Sequence, residues 1–98
     1  MIVYGKEKLE AFALKNEIAK SLIDTWLHIF EEYTFKDHDG LKVIFPSVEY
    51  IGNERYMFNL KGSDFKIVIV IAFINSTVAV RWIGTNISYK KLKDCSTF

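Results

Sequence analysis

The chain has 98 residues, half of them hydrophobic and 26% charged, with a formal net charge of +1. That is the size and composition of one globular domain, residues 1–98, with a single two-layer core and no linker or repeat to divide it. A membrane-spanning helix is excluded: the longest apolar run, Phe65 to Phe73, is less than half of the roughly 20 residues required and is interrupted by Lys66.

The N-terminus carries no signal-peptide pattern, so a cytoplasmic address is expected. Cys95, the single cysteine, cannot form an internal disulfide, and with only His28 and His38 as imidazoles there is no spaced ligand set, so no metal or cofactor is expected. Charge is uneven along the chain. Residues 1–60 hold seven basic and ten acidic residues, whereas residues 61–98 hold six basic and two acidic. One reading of this asymmetry is a positive end that meets an anion.

Met1 to Tyr4 reads as a short strand added to a sheet edge. From Lys6 the pattern turns helical, with Leu9, Phe12 and Ala13 on one side, and Asn16 is placed to cap a second helix. In that helix Ile18, Leu22, Ile23, Trp26, Ile29, Phe30 and Tyr33 recur at three- and four-residue spacing, a stripe that needs a sheet to cover it. His28 falls with Asp24, Glu31 and Glu32 on the outer, solvated face. Asp37 to Gly40 is a loop placed to cap a helical turn over Leu41 to Phe45, which Pro46 stops, and His38 between two aspartates is most simply a loop residue.

Three strand-like runs follow. Arg55 to Leu60 alternates, with Tyr56, Phe58 and Leu60 on one face and Arg55, Met57 and Asn59 on the other. Lys61 to Asp64 supplies hairpin-loop residues, Phe65 to Phe73 is a β-branched run suited to the middle of a sheet, and Asn75-Ser76 turns the chain into Thr77 to Ile83. If Leu60 pairs with Phe65 and Ile74 with Thr77, parity sets Asn59 opposite Lys66, Lys66 opposite Thr85, and Arg55, Val70 and Arg81 in a second row. Trp82 then joins Tyr56, Phe58, Leu60, Ile67, Ile69, Ile71, Phe73, Val78 and Val80 on the core face. The other face is expected to stay open and basic, because burying an unpaired Lys or Arg costs several kcal/mol. The expected class is α+β, an antiparallel sheet with two N-terminal helices on one face.

These runs also carry a resemblance. Leu41-Lys-Val-Ile-Phe-Pro-Ser47, Tyr50-Ile-Gly-Asn53, Phe58-Asn-Leu-Lys-Gly62 and Arg81-Trp-Ile-Gly-Thr85, with Tyr89 at the expected interval and Trp26 upstream, resemble the HigB family of bacterial toxins. The resemblance implies a RelE-like fold and a ribosome-dependent mRNA endonuclease held inactive by a helix-turn-helix antitoxin. The implied reaction is attack of a ribose 2′-hydroxyl on the adjacent phosphodiester, which needs a base, an acid and cations for the extra negative charge. On the resemblance, Lys66, Arg81, Asn86 and Tyr89 form the catalytic set, with Lys66 where the family usually has arginine. Arg55, Asn59, Lys61, Thr85, Lys90 and Lys91 form the implied RNA-contacting set. Tyr89 has two open roles, proton donor or stacking platform for a base. Where the family reads Thr-His-x-Glu-Tyr-Asp, this chain has Thr85-Asn86-Ile87-Ser88-Tyr89-Lys90, without the histidine and both acids. A protein of this fold that binds RNA or an antitoxin without cleavage is the alternative that departure supports.

Overall fold

A helical stripe and an apolar sheet face dictate the two layers. In the computed structural model, which describes residues 1–60 and 64–92, β1 (Ile2–Tyr4) leads into α1 (Lys6–Lys15), α2 (Glu17–Glu32) and α3 (His38–Ile44). The strands β2 (Glu49–Gly52), β3 (Arg55–Asn59), β4 (Phe65–Ala72) and β5 (Thr77–Thr85) follow, and α4 (Asn86–Lys90) closes the described chain. The sheet order is β1-β5-β4-β3-β2. β2 to β5 form an antiparallel meander, and β1 pairs in parallel with β5, so the sheet is mixed rather than wholly antiparallel. No described helix is long and apolar enough to cross a membrane.

α2 buries Ile23, Trp26 and Phe30 of the expected stripe, together with Ala19, which the stripe did not include, at three- and four-residue spacing. Ile18 and Tyr33, at the stripe's margins, are exposed. Phe30 is the hub: its ring meets those of Trp26, Phe35, Phe45 and Phe58 at centroid separations of 4.6 to 5.4 Å. Asn16 sits between the two helices as expected but caps the first, its side-chain amide donating to the Phe12 carbonyl at 3.1 Å. Asp37 caps α3 through the Gly40 N–H at 2.8 Å, and the helix begins at His38, earlier than the expected turn.

β1 reaches only Thr77 to Ala79 of its neighbour. Beyond that point Gly5, at φ +82°, turns the chain against Val80, whose carbonyl oxygen would lie 2.7 Å from any Cβ there. That close approach lets α1 follow directly and pack on β5, with Phe12 also meeting Phe65 at the start of the neighbouring β4 edge to face at 5.7 Å. β2 is a strand the sequence reading lacks. It joins β3 through Asn53 and Glu54, both at positive φ as a type I′ turn requires.

The β3–β4 register agrees with parity: Asn59 pairs with Lys66 and Arg55 with Val70. The β4–β5 register does not. A single 3₁₀ turn over Phe73–Asn75 ends β4 at Ala72, which pairs with Thr77, so Ile74 is not a ladder partner. A bulge then inserts Arg81 between Val80, opposite Ile69, and Trp82, opposite Val68. One extra residue flips every later side chain to the other face. Gly84, not Thr85, therefore lies opposite Lys66 and Trp82 leaves the core, while the shift at the 3₁₀ turn, ahead of the bulge, already sets Ala79 rather than Arg81 opposite Val70.

Candidate functional site

The bulge brings a ring to the face where parity alone had placed a cation. Trp82 and Gly84, two residues apart, share one side of β5, and the indole lies over the glycine: a Cβ on Gly84 would meet its Cζ2 and Cη2 at 2.5 and 2.6 Å. Gly84 is thus a seat for the Trp82 ring beside Lys66. Filling that seat should be costly only while the ring occupies it. Gly84→Ala is expected to destabilise by about 1–3 kcal/mol, the usual range for overpacking, and to lose most of that cost in a Trp82→Val background. Denaturant unfolding of the two single variants and the double variant gives the coupling, and an equal cost with and without the ring would contradict this packing.

α4 then folds back over the same face. Thr85 caps it, its hydroxyl accepting from the Ser88 N–H at 3.1 Å and donating to Ser88 Oγ at 3.0 Å, while the Asn86 N–H donates to the Asp64 carbonyl at 2.9 Å. The result places Tyr89 against Trp82, with ring centroids 5.9 Å apart, and under the Lys66 ammonium, 5.4 Å from the ring centre.

Lys66 is therefore not the open-surface cation that parity implied. It is only 9% exposed, with Nζ hydrogen-bonded to Asn59 Oδ1 and 3.9 Å from Met57 Sδ. An amide oxygen, a thioether and a π face are all neutral partners. They make burial tolerable by replacing water with acceptors and a ring quadrupole, but none carries a countercharge. Among the described residues the ion pairs are Lys6 with Glu31 and Lys20 with Asp24, both elsewhere on the surface. Among the described residues Lys66 is thus a nearly buried positive charge with uncharged partners, over the Tyr89 ring that Trp82 in turn meets.

The structure gathers Asn59, Lys66, Trp82 and Tyr89 at one spot, with Thr85 and Asn86 at the start of the helix that supplies Tyr89. Trp82 is the member that sequence reasoning assigned to the core. Its signal was the glycine two residues on, a small residue beside a large one within a strand. Arg81 stands in the bulge and shares a shallow depression with Lys8, Phe12 and Lys15 of α1. Arg55 lies four residues along β3 from Asn59, its guanidinium donating to the Asn53 carbonyl at 2.6 Å, and is not part of the group. Lys90 and Lys91 are exposed at the end of α4. Lys61 and Cys95 lie outside the described residues. His28 is exposed as expected, whereas His38 is not simply a loop residue, for its Nδ1 lies 3.0 Å from the Tyr56 hydroxyl. No cluster of metal-ligating side chains occurs among the described residues.

Comparison with known proteins supplies the context for this geometry. The profile of the HigB_toxin family, described as the RelE-like toxic component of a toxin-antitoxin system, matches residues 19–92. The mRNA interferase toxin HigB of Escherichia coli (strain K12) is 29% identical over 89 residues, covering 88% of this chain and 73% of that protein. The proteins named mRNA interferase HigB from Escherichia coli O157:H7 and Shigella flexneri align at the same 29% identity and coverage.

Proposed function

The chain belongs to the HigB family of RelE-like toxic components of toxin-antitoxin systems, and on that premise we propose that it is an endoribonuclease that cleaves translated mRNA at the ribosome. Its proposed setting is the cytoplasm, and its proposed keeper is a HigA-like helix-turn-helix antitoxin. The observation that carries the chemistry is Lys66, a nearly buried ammonium whose partners among the described residues are uncharged, over the Tyr89 ring, which in turn meets Trp82.

In this reading the ribose 2′-hydroxyl attacks the adjacent phosphorus. The 2′-O–P bond forms, the P–O5′ bond breaks, one proton leaves the 2′-hydroxyl and one is delivered to the departing 5′-oxygen. Lys66 holds the added negative charge of the phosphorane from a nearly buried position, where a fixed cation acts far more strongly than at a surface. Asn59 fixes the ammonium, and Trp82 with Tyr89 forms the platform on which a base of the bound strand stacks. Asn86 and Thr85 orient the phosphate. Arg81, Lys90 and Lys91 contact flanking phosphates, Arg81 from the bulge rather than from the centre. Arg55 extends that contact along β3, and Lys61, outside the described residues, belongs to the same proposed RNA-contacting set.

Proton transfer falls to Tyr89, because Asn86 stands where a relative's histidine would shuttle a proton and has no titrating group. Restoring that group separates the roles. Asn86→His is expected to preserve or raise cleavage on translating ribosomes, and Tyr89→Phe to lower it by about 10²-fold, the low end for loss of a general acid. Asn86→His should rescue the Tyr89→Phe protein. If neither change alters the rate, proton transfer lies elsewhere.

The second reading, a binder without cleavage, is favoured by one observation: Asn86, Ser88 and Lys90 give the described site no histidine or acid. Induction of the chain in bacteria, with and without the antitoxin gene, tests the toxin reading. Growth arrest relieved by the antitoxin is the expected result, and unimpaired growth without it favours the binder. Arg81→Ala is expected to lessen the arrest without unfolding the protein.

A further inference from the structure

At the far end of β4 from Lys66, five residues or roughly 17 Å along the strand, a cleft of about 540 Å³ opens beside Ile71. Its walls are aromatic: His38, Tyr50, Tyr56 and Phe73 line it, with ring centroids 5.2 to 6.5 Å apart. The cluster is braced by the His38–Tyr56 hydrogen bond and by the Glu54 N–H, which donates to the Tyr50 hydroxyl at 3.3 Å. Glu54 also lines the cleft, and among the described residues no Lys or Arg does.

Glu54 occupies a position where its residue type is disfavoured. It sits at φ +64° as the second central residue of the β2–β3 turn, where glycine fits without strain and a glutamate does not. A strained backbone site that carries a specific side chain into a cleft is an observation from which function can be inferred. Several rings and one carboxylate around a solvent-open cleft are the elements of a cation receptor, in which the ring quadrupoles and the acid attract the same charge. Burial raises the Tyr56 hydroxyl's pKa, reinforced by the neighbouring Tyr50.

We propose that this cleft binds the cationic head of an arginine or lysine side chain presented by a partner polypeptide. The inference stands apart from the RNA chemistry assigned to Lys66. A polypeptide is favoured over a free small cation by the rim. Ile74 is 94% exposed and Tyr50 is more than half exposed, which gives the aliphatic stem of a long side chain an apolar surface to cover. Tyr50 belongs to β2, an outer strand of the sheet whose unpaired backbone edge can align an extended segment alongside the cleft.

The test is an NMR titration of the full chain with N-acetyl-arginine amide, against N-acetyl-norleucine amide as a neutral probe of similar stem. The arginine probe is expected to shift resonances of His38, Tyr50, Ile71 and Phe73 saturably, with a dissociation constant of about millimolar, as a single exposed cation–π site gives. The norleucine probe should leave them unmoved. Glu54→Gln, which keeps the backbone geometry, should weaken the arginine probe about tenfold. Equal shifts with norleucine, an unchanged affinity in Glu54→Gln, or no saturable shift up to about 50 mM of the arginine probe overturns the assignment.

Discussion

Lys66→Met is expected to abolish growth arrest and to slow cleavage of ribosome-bound mRNA by about 10²- to 10³-fold, the loss typical of removing one preorganised group that stabilises transition-state charge. The same change should leave stability equal or slightly higher. Lys66 is held by an amide oxygen, a thioether and a ring, without a carboxylate, and replacing a buried charge by an apolar chain of similar length is often neutral or stabilising. A methionine can lie along Met57 and under Tyr89 without opening a cavity. The opposition of signs is the point: a purely structural lysine would not combine full stability with lost cleavage. Thermal or denaturant unfolding measured beside the cleavage rate checks both halves, and a Lys66→Met protein that is folded and fully active contradicts the anion-site assignment.

Phe30→Ala carries the largest expected effect on stability, about 3–5 kcal/mol as for large aromatic core truncations. Phe30 is fully buried and touches four other rings drawn from α2, β3 and the segment around α3, so the cavity cannot be closed by one neighbour moving in. With a domain's total stability of about 5–15 kcal/mol, such a loss leaves a fraction of the margin. Denaturant midpoints with an unchanged m-value would establish it. A loss below about 1 kcal/mol would mean that the ring cluster is not the core's centre.

The contrast with Trp82 shows what was legible in the sequence and what was not. Alternation through Arg55 to Leu60, the β-branched run after Phe65 and the hairpin residues between them suffice to place Asn59 beside Lys66, because a short loop leaves few registers. The helical stripe is equally legible at Ile23, Trp26 and Phe30. Val78 and Val80 fall on the core face as expected, but from the bulge at Arg81 onward the same reasoning assigns the wrong face, since Trp82 continues a perfect alternation through a bulge that has no composition of its own. A bulky aromatic fits a core pattern as well as it fits a stacking platform. β2 escaped for a different reason: Glu49-Tyr-Ile-Gly52 is short, carries no β-branched run, and turns at Asn53-Glu54, where glutamate is not a turn signal. The burial of Lys66 was hidden because it depends on α4 returning over the sheet, a tertiary event that no local pattern records.

The proposed site is built from Lys66, Trp82 and Tyr89, with Asn59 hydrogen-bonded to the lysine and Arg81 displaced to the flank. Whether a cation so placed acts on a phosphodiester is decided by the nature of the cut. Purified protein should be added to ribosomes translating a defined message, alongside a message carrying a single 2′-deoxy nucleotide at the mapped cleavage position. The expected result is cleavage of the first, leaving a 2′,3′-cyclic phosphate or its 3′-phosphate hydrolysis product with a 5′-hydroxyl on the other fragment, and no cut at the substituted position of the second. Cleavage of the 2′-deoxy message at that position, or no cleavage of either, would contradict it.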